Sequence, residues 1–146
     1  MGFGLGAAEG AKIANPDRPV VLFTGDGSFR MNSIEMATVA ENSIPLLIVI
    51  FNNHSLGMVR QLQHLFCEDR YYAINLAGPP DYVKLANAYG IHGWRADERA
   101  GFTVALKEAL QKIGEKKAAL IEAVIAEDEE VLPMVPSGRP IDEQII

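Results

Sequence analysis

Residues 20–53 read VVLFTGDGSFRMNSIEMATVAENSIPLLIVIFNN, and no other stretch limits the possible folds as much. Residues 20–24 and 46–51 are short apolar runs rich in β-branched and aromatic side chains, each ended by turn-type residues. Runs of this kind fit strands buried on both faces of a sheet. Residues 33–42 lie between them and read as a crossover helix. Asn32 is placed to cap it, Glu35 follows three residues later as in a capping box, and Ile34, Ala37 and Thr38 share one face. Two parallel strands joined by a helix follow from this pattern.

Parallel strands bring their carboxyl ends to one edge of the sheet, where ligands of such sheets bind. Asp26 and Asn53 can therefore meet although 27 positions separate them. A carboxylate and an amide oxygen are hard ligands suited to magnesium, which keeps positions for water and substrate phosphates. Gly25 and Gly27 remove side chains that would hold the backbone away from a phosphate, and Ser28 offers a hydroxyl and an N–H. The pattern points to a metal-bridged diphosphate site.

Gly25-Asp26-Gly27 and Asn52-Asn53 resemble the two ends of the cofactor signature of thiamine-diphosphate-dependent enzymes. Within that superfamily the chain is most similar to the C-terminal cofactor domain of acetolactate synthase (acetohydroxyacid synthase) large subunits. The resemblance rests on MGFGL at 1–5, GDGSFRMN at 25–32, NNHSLGMVRQ at 52–61 and VLPMVPSG at 131–138, and spans essentially the whole chain. It implies thiamine diphosphate and Mg2+ as cofactors. Asp26, Asn53 and the backbone carbonyl of Ser55 would hold the metal, and Gly25, Gly27 and Ser28 would meet the diphosphate. The loop of His54, Ser55, Leu56, Gly57 and Met58 would lie over the diphosphate and thiazole, and Met1 matches a methionine that supports the thiazolium ring. Met58 and Leu62 would line the substrate pocket; Leu62 stands where many biosynthetic members have a tryptophan, and a leucine leaves a larger cavity.

The same resemblance implies decarboxylation of pyruvate and its condensation with a second 2-keto acid in branched-chain amino-acid biosynthesis. No acid/base residue of this chain is implied in catalysis. The family's N-terminal pyrimidine-binding domain, which supplies an activating glutamate, and its central domain, which usually holds FAD, have no counterpart in the sequence. The expectation is a single C-terminal domain over 1–146, with 1–14 a truncated leading helix and 131–146 a tail. Such a chain would be a fragment, a split gene product or an excised piece, inactive alone, that relies on another domain or chain and on a homo-oligomer. Gly6 and Glu9 depart from the family's usual proline and aliphatic residue.

At 146 residues, 49% hydrophobic and 22% charged, the composition suits one globular domain. A net charge of −6 without a basic run excludes tracking of a nucleic-acid backbone. Cys67 is the single cysteine, so no internal disulfide forms. No apolar run reaches membrane-spanning length or resembles a signal peptide, which leaves the cytoplasm as the default.

Elsewhere the pattern predicts a small-residue helix over 5–14 and a turn at 15–19. Met58, Val59, Leu62, Leu65 and Phe66 share a helical face that pattern alone assigns to the core, although the resemblance turns Met58 toward the cofactor. His54 and His64 read as surface polar positions, 67–70 as solvated loop and 71–78 as a link over the site edge. Pro79-Pro80-Asp81 starts a helix with Asp81 as cap, whose face of Tyr82, Leu85, Ala86 and Tyr89 ends at Gly90. A strand at 91–96, a helix through Phe102, Ala105, Leu106, Ala109, Leu110 and Ile113 with Gly114 as its C′ residue, and a strand at 118–126 follow. Glu127-Asp128-Glu129-Glu130 reads as a solvated turn and 137–146 as mobile. Repeated βα units give an α/β fold, a doubly wound, mostly parallel sheet with helices on both faces.

Two other readings compete. One is another thiamine-diphosphate carboligase or decarboxylase domain, and the other a truncated non-catalytic fragment for binding or interaction. A dinucleotide-binding domain is disfavoured because no G-x-G-x-x-G follows the first strand.

Overall fold

The computed structural model describes residues 1–76, 78 and 80–146. Among these residues four strands, β1 (Val21–Gly25), β2 (Leu47–Asn52), β3 (His92–Ala96) and β4 (Ala119–Val124), pair in the order β1-β2-β4-β3, every pair parallel. The helices are α1 (Gly4–Ala14), α2 (Asp26–Arg30), α3 (Met36–Glu41), α4 (Gly57–Phe66), α5 (Tyr82–Ala88) and α6 (Arg99–Gly114). From β1 to β3 the chain advances across the sheet, and from β3 to β4 it steps back. Right-handed crossovers then require α6 on the face opposite the earlier helices.

The two cores reflect this. On one face Leu22, Ile48, Ile50 and Leu120 pack with Leu5, Phe29, Met36, Val39, Tyr82 and Ala86, while on the other Leu47, Val49, Ala119 and Ile121 pack with Ala105 and Ala109 of α6. Asp81 caps α5 as expected, accepting the Lys84 N–H at 2.9 Å. The expected α/β sheet with helices on both faces is the observed one.

Several local expectations give way to packing. No single helix spans 33–42: the chain turns into α2 at Asp26, passes through a 3-10 turn at Ser33–Glu35 and re-forms as α3. The Asn32 side chain makes no cap bond, and Glu35 Oε2 accepts from Thr38 Oγ1 instead. Met36 and Val39 are buried while Ile34 is exposed, because the core cluster rather than the cap pattern selects the face. β1 is not buried on both faces. Val21 and Phe23 are exposed because α6 packs toward the far edge of the same face, and the Phe23 ring stacks with Phe51 at 6.0 Å.

Gly114 belongs to α6 and is not its C′ residue. Lys116 takes the left-handed conformation there (φ 61°), and the bonds Lys116 N–H to Ile113 O and Lys117 N–H to Lys112 O complete the helix stop. In the tail, Met134 and Ile145 exchange two backbone hydrogen bonds of 2.9 and 2.8 Å, and Arg139 pairs with Glu143. Pro79 of the expected helix start and Ala77 of the expected link lie outside the described residues.

On α1, Glu9 is 6% exposed, and its Oε1 has no hydrogen-bond partner among the described residues. Burial, and secondarily the charge of Glu35, pushes its carboxyl above the usual range. The unfolded chain therefore releases this proton at lower pH than the folded chain, so stability falls as pH rises through the folded value. Glu9→Leu is expected to stabilise the fold by about 1–2 kcal/mol at pH 7, with a smaller gain below about pH 4. Urea denaturation at both pH values checks this, and an equal gain at both would exclude charge burial as the cause.

Candidate functional site

The carboxyl ends of β1 and β2 lie side by side, with Gly25 in register with Phe51. Beyond them opens a cleft of about 480 Å³, lined among others by Met1, Gly25, Asp26, Gly27, Ser28, Asn53, Ser55, Leu56, Gly57 and Met58. Ten of the eleven cofactor-site residues expected from sequence thus share one cavity. The exception is His54, whose backbone belongs to the same loop but which does not line the cleft.

Asp26 begins α2 directly after β1 and is 2% exposed. Its Oδ2 is buried with no hydrogen-bond partner among the described residues. Burial raises its pKa, against the lowering effect of the Gly27 N–H and of nearby His54. A buried, half-satisfied carboxylate at a cleft wall is costly unless a cation or donor completes it. Tyr82 supports the same turn from below: its hydroxyl donates to the Asp26 backbone carbonyl at 3.4 Å, and its ring meets Phe29 edge-on at 5.8 Å. Burial and the Asp26 charge push the Tyr82 phenol up to about 12, so it stays a neutral donor.

The Asn52–Gly57 segment is held by its own side chains. Asn53 Oδ1 accepts the Ser55 N–H at 3.2 Å, and Asn52 Oδ1 accepts the His54 N–H at 3.0 Å. His54 adopts φ 57°, a left-handed conformation that costs a residue with a side chain on the order of 1 kcal/mol. Ser55 faces Asn75 in an antiparallel bridge whose bonds are Leu56 N–H to Ile74 O and Leu76 N–H to His54 O, so the pairing makes no use of the Ser55 carbonyl. This bridge carries the expected link over the site edge.

At two glycines an added Cβ would crowd a neighbouring side chain. A Cβ on Gly27 would stand 3.0 Å from Leu56 Cδ2, and one on Gly57 would stand 2.8 Å from Asn53 Nδ2. Ser28 Oγ accepts the Gly2 N–H at 3.1 Å, which draws the chain start toward the cleft while the hydroxyl proton stays available for an anion. Among the described residues no three His, Cys, Asp or Glu side chains are grouped to hold a metal. A cation here would have one carboxylate, neutral oxygens and its ligand's own oxygens, which is the donor set magnesium accepts.

On α4 the structure corrects the core assignment. Met58, Val59, Leu62 and Phe66 are exposed, and the buried residue is Gln61, because the helix turns its polar side toward the tail. Gln61 donates to the Val131 carbonyl and accepts the Val131 N–H, both at 3.1 Å, so one side chain fastens the tail beside the cleft. Leu62 lies exposed on α4 outside the cleft lining. His64 joins Asp69 and lies 3.9 Å from Glu130; the Asp69 bond holds its pKa above the usual imidazole range. Glu129 of the acidic turn reaches the cleft wall.

Sequence reasoning missed Gln61, Tyr82 and the buried pair Asn52–Glu122 as parts of the site's support. For Glu122 a signal existed, since it is the lone charge in an apolar strand.

A family model described as thiamine pyrophosphate enzyme, C-terminal TPP binding domain, matches residues 1–123. The chain is 43% identical to the acetolactate synthase isozyme 2 large subunit of Escherichia coli (strain K12) over 99% of its own length and 26% of the relative's. It is 45% identical to a probable acetolactate synthase large subunit of Methanococcus aeolicus, over 97% of this chain and 23% of that one. Among solved structures it resembles a thiamine diphosphate-dependent 4-hydroxybenzoylformate decarboxylase of Rhodococcus jostii RHA1, with a TM-score of 0.78, 33% identity, and coverage of 88% of this chain and 24% of the other. The chain thus spans about a quarter of the length of these relatives.

Proposed function

This chain belongs to the family of C-terminal TPP-binding domains of thiamine pyrophosphate enzymes, and we propose that it forms the diphosphate- and magnesium-holding part of an acetolactate synthase. The observation that carries the reading is the buried, unsatisfied Asp26 Oδ2 at the wall of a glycine-lined cleft. Asp26, Asn53 and the Ser55 carbonyl hold Mg2+. Gly25, Gly27 and Ser28 admit the diphosphate, Met1 supports the thiazolium, and His54, Leu56, Gly57 and Met58 form the loop beside it. Met58, at the cleft wall, faces the 2-keto-acid acceptor, whereas Leu62 lies outside the cleft lining.

Thiamine diphosphate, when bound, supplies the carbon nucleophile that decarboxylates pyruvate and passes the remaining unit to a second 2-keto acid. The residues here bind and orient; none of them is assigned a proton transfer. The exposed apolar side of α4, with Met58, Val59, Leu62 and Phe66, is the surface we assign to a pyrimidine-binding domain or a second subunit. FAD, where used, belongs to a central domain outside this chain. Among the described residues no helix is long and apolar enough to cross a membrane.

A chimera tests the reading. In the E. coli isozyme 2 large subunit, this chain replaces the matching segment, and acetolactate formation from pyruvate is measured. Activity that disappears with Asp26→Ala supports the proposal. A folded chimera that binds cofactor but makes no acetolactate favours the second reading, a decarboxylase like the Rhodococcus jostii protein, and 4-hydroxybenzoylformate turnover then decides.

Gly57→Ala gives a narrower check. The helix start tolerates alanine within about 1 kcal/mol, but the new Cβ displaces the Asn53 amide. Magnesium-dependent thiamine diphosphate affinity should fall about tenfold, as when a ligand's support is disturbed, with unchanged thermal stability. Unaltered affinity by calorimetry would remove Asn53 from the metal set.

A further inference from the structure

Glu122 occupies the middle of β4, in register with Ile50 of β2 and Arg95 of β3, and is 2% exposed. A carboxylate in such a position is expensive to bury, and here it is incompletely paired. Its Oε1 accepts from Asn52 Nδ2 at 2.6 Å and lies 3.9 Å from Arg95 Nη1, while Oε2 has no partner among the described residues. A hydrophobic residue would fill a central strand at lower cost.

The pairing makes sense one bond further on. Asn52 is 1% exposed, and an amide side chain has two ends. With its nitrogen held by Glu122, its oxygen points to the His54 N–H at 3.0 Å. That bond fixes the residue in the left-handed conformation, the point where the chain leaves β2 and turns Asn53 and Ser55 to the cleft. Without the carboxylate, only the His54 N–H would set which way the Asn52 amide faces among the described contacts.

We propose that Glu122 is a positioning residue: through Asn52 it orients the His54 turn and so holds Asn53 and Ser55 in place for a metal-bound diphosphate. The role rests on the proposed function for its ligand but not for its geometry, so the two are tested separately. It acts through an acceptor oxygen, so Glu122→Gln keeps it, whereas Glu122→Leu and Asn52→Ala break the relay at different points.

Amide hydrogen exchange by NMR on the full 146-residue chain, without ligand, reads the geometry. His54 N–H should exchange at least about tenfold faster in Glu122→Leu and in Asn52→Ala than in wild type or Glu122→Gln. The N–H groups of Ile48 and Leu120, in the same sheet, should keep their rates, which a general loosening would not allow. Calorimetry with magnesium and thiamine diphosphate should then show affinity lowered about 10–100-fold in the first two variants and near wild type in the third. Unchanged His54 exchange, or strand amides that speed up equally, overturns the proposal; so does failure of both disrupting variants to fold, which would make the pair a requirement of the sheet. If wild type binds no magnesium diphosphate, the proposed function fails, and the exchange data still decide the relay.

Discussion

Asp26→Ala is expected to lower magnesium-dependent thiamine diphosphate affinity by at least about 100-fold, the loss of a direct charged ligand exceeding that of a supporting contact. Asp26 is the only charged side chain assigned to the metal, so neither Asn53 nor the Ser55 carbonyl can replace its charge. The substitution should leave the empty fold within about 1 kcal/mol of wild type, because the buried carboxylate is only partly satisfied and its removal also relieves a desolvation cost. Calorimetry for binding and urea denaturation for stability check the two halves. A variant that loses binding only because it unfolds would say nothing for the metal role, whereas equal affinity in a folded variant would refute it.

The second large effect is a complete absence: the purified chain with saturating magnesium, thiamine diphosphate and pyruvate should form no acetolactate above the protein-free blank. Its cleft is open, and the apolar side of α4 next to it is bare. Rate enhancement depends on holding the reacting groups in a closed, water-excluding arrangement, and one wall of such an arrangement supplies little of it. The family resemblance also assigns the activating glutamate to another domain. Acetolactate formed by the chain alone, and lost in Asp26→Ala, would show that 146 residues build a working site.

The parts of the fold visible in the sequence are those set by local pattern. β1, β2 and β4 stand out as short, largely apolar runs with β-branched residues, and Asp81 announces the start of α5 through the bond it makes to Lys84. Asp26 and Asn53 could be placed together because parallel strands leave no other edge for their loops. Patterns that say what an element could bury do not say what the rest of the chain brings to cover it. Phe23 and Val21 have a strand's alternation, yet α6 stops short of them. The stripe from Met58 to Phe66 is correctly helical, but its direction depends on Gln61 meeting Val131, 70 residues away. Asn32 and Glu35 spell a capping box that Met36 and Val39 override by entering the core. The helix stop at Lys116 hid behind Gly114 because a lysine can hold the left-handed turn when two backbone bonds fasten it.

The same limit applies to the site. Its candidate ligand residues sit in a recognisable motif, but the groups packed behind them, Tyr82 beneath Asp26 and Glu122 beyond Asn52, come from distant segments and become legible only when the sheet is assembled.

Titration of the wild-type chain with thiamine diphosphate, once with magnesium and once with EDTA, tests the central claim most directly. Saturable one-to-one binding with magnesium that vanishes with EDTA is the result expected of a diphosphate held through a metal on Asp26. Binding of equal strength under both conditions, or none at millimolar cofactor with magnesium present, would contradict it.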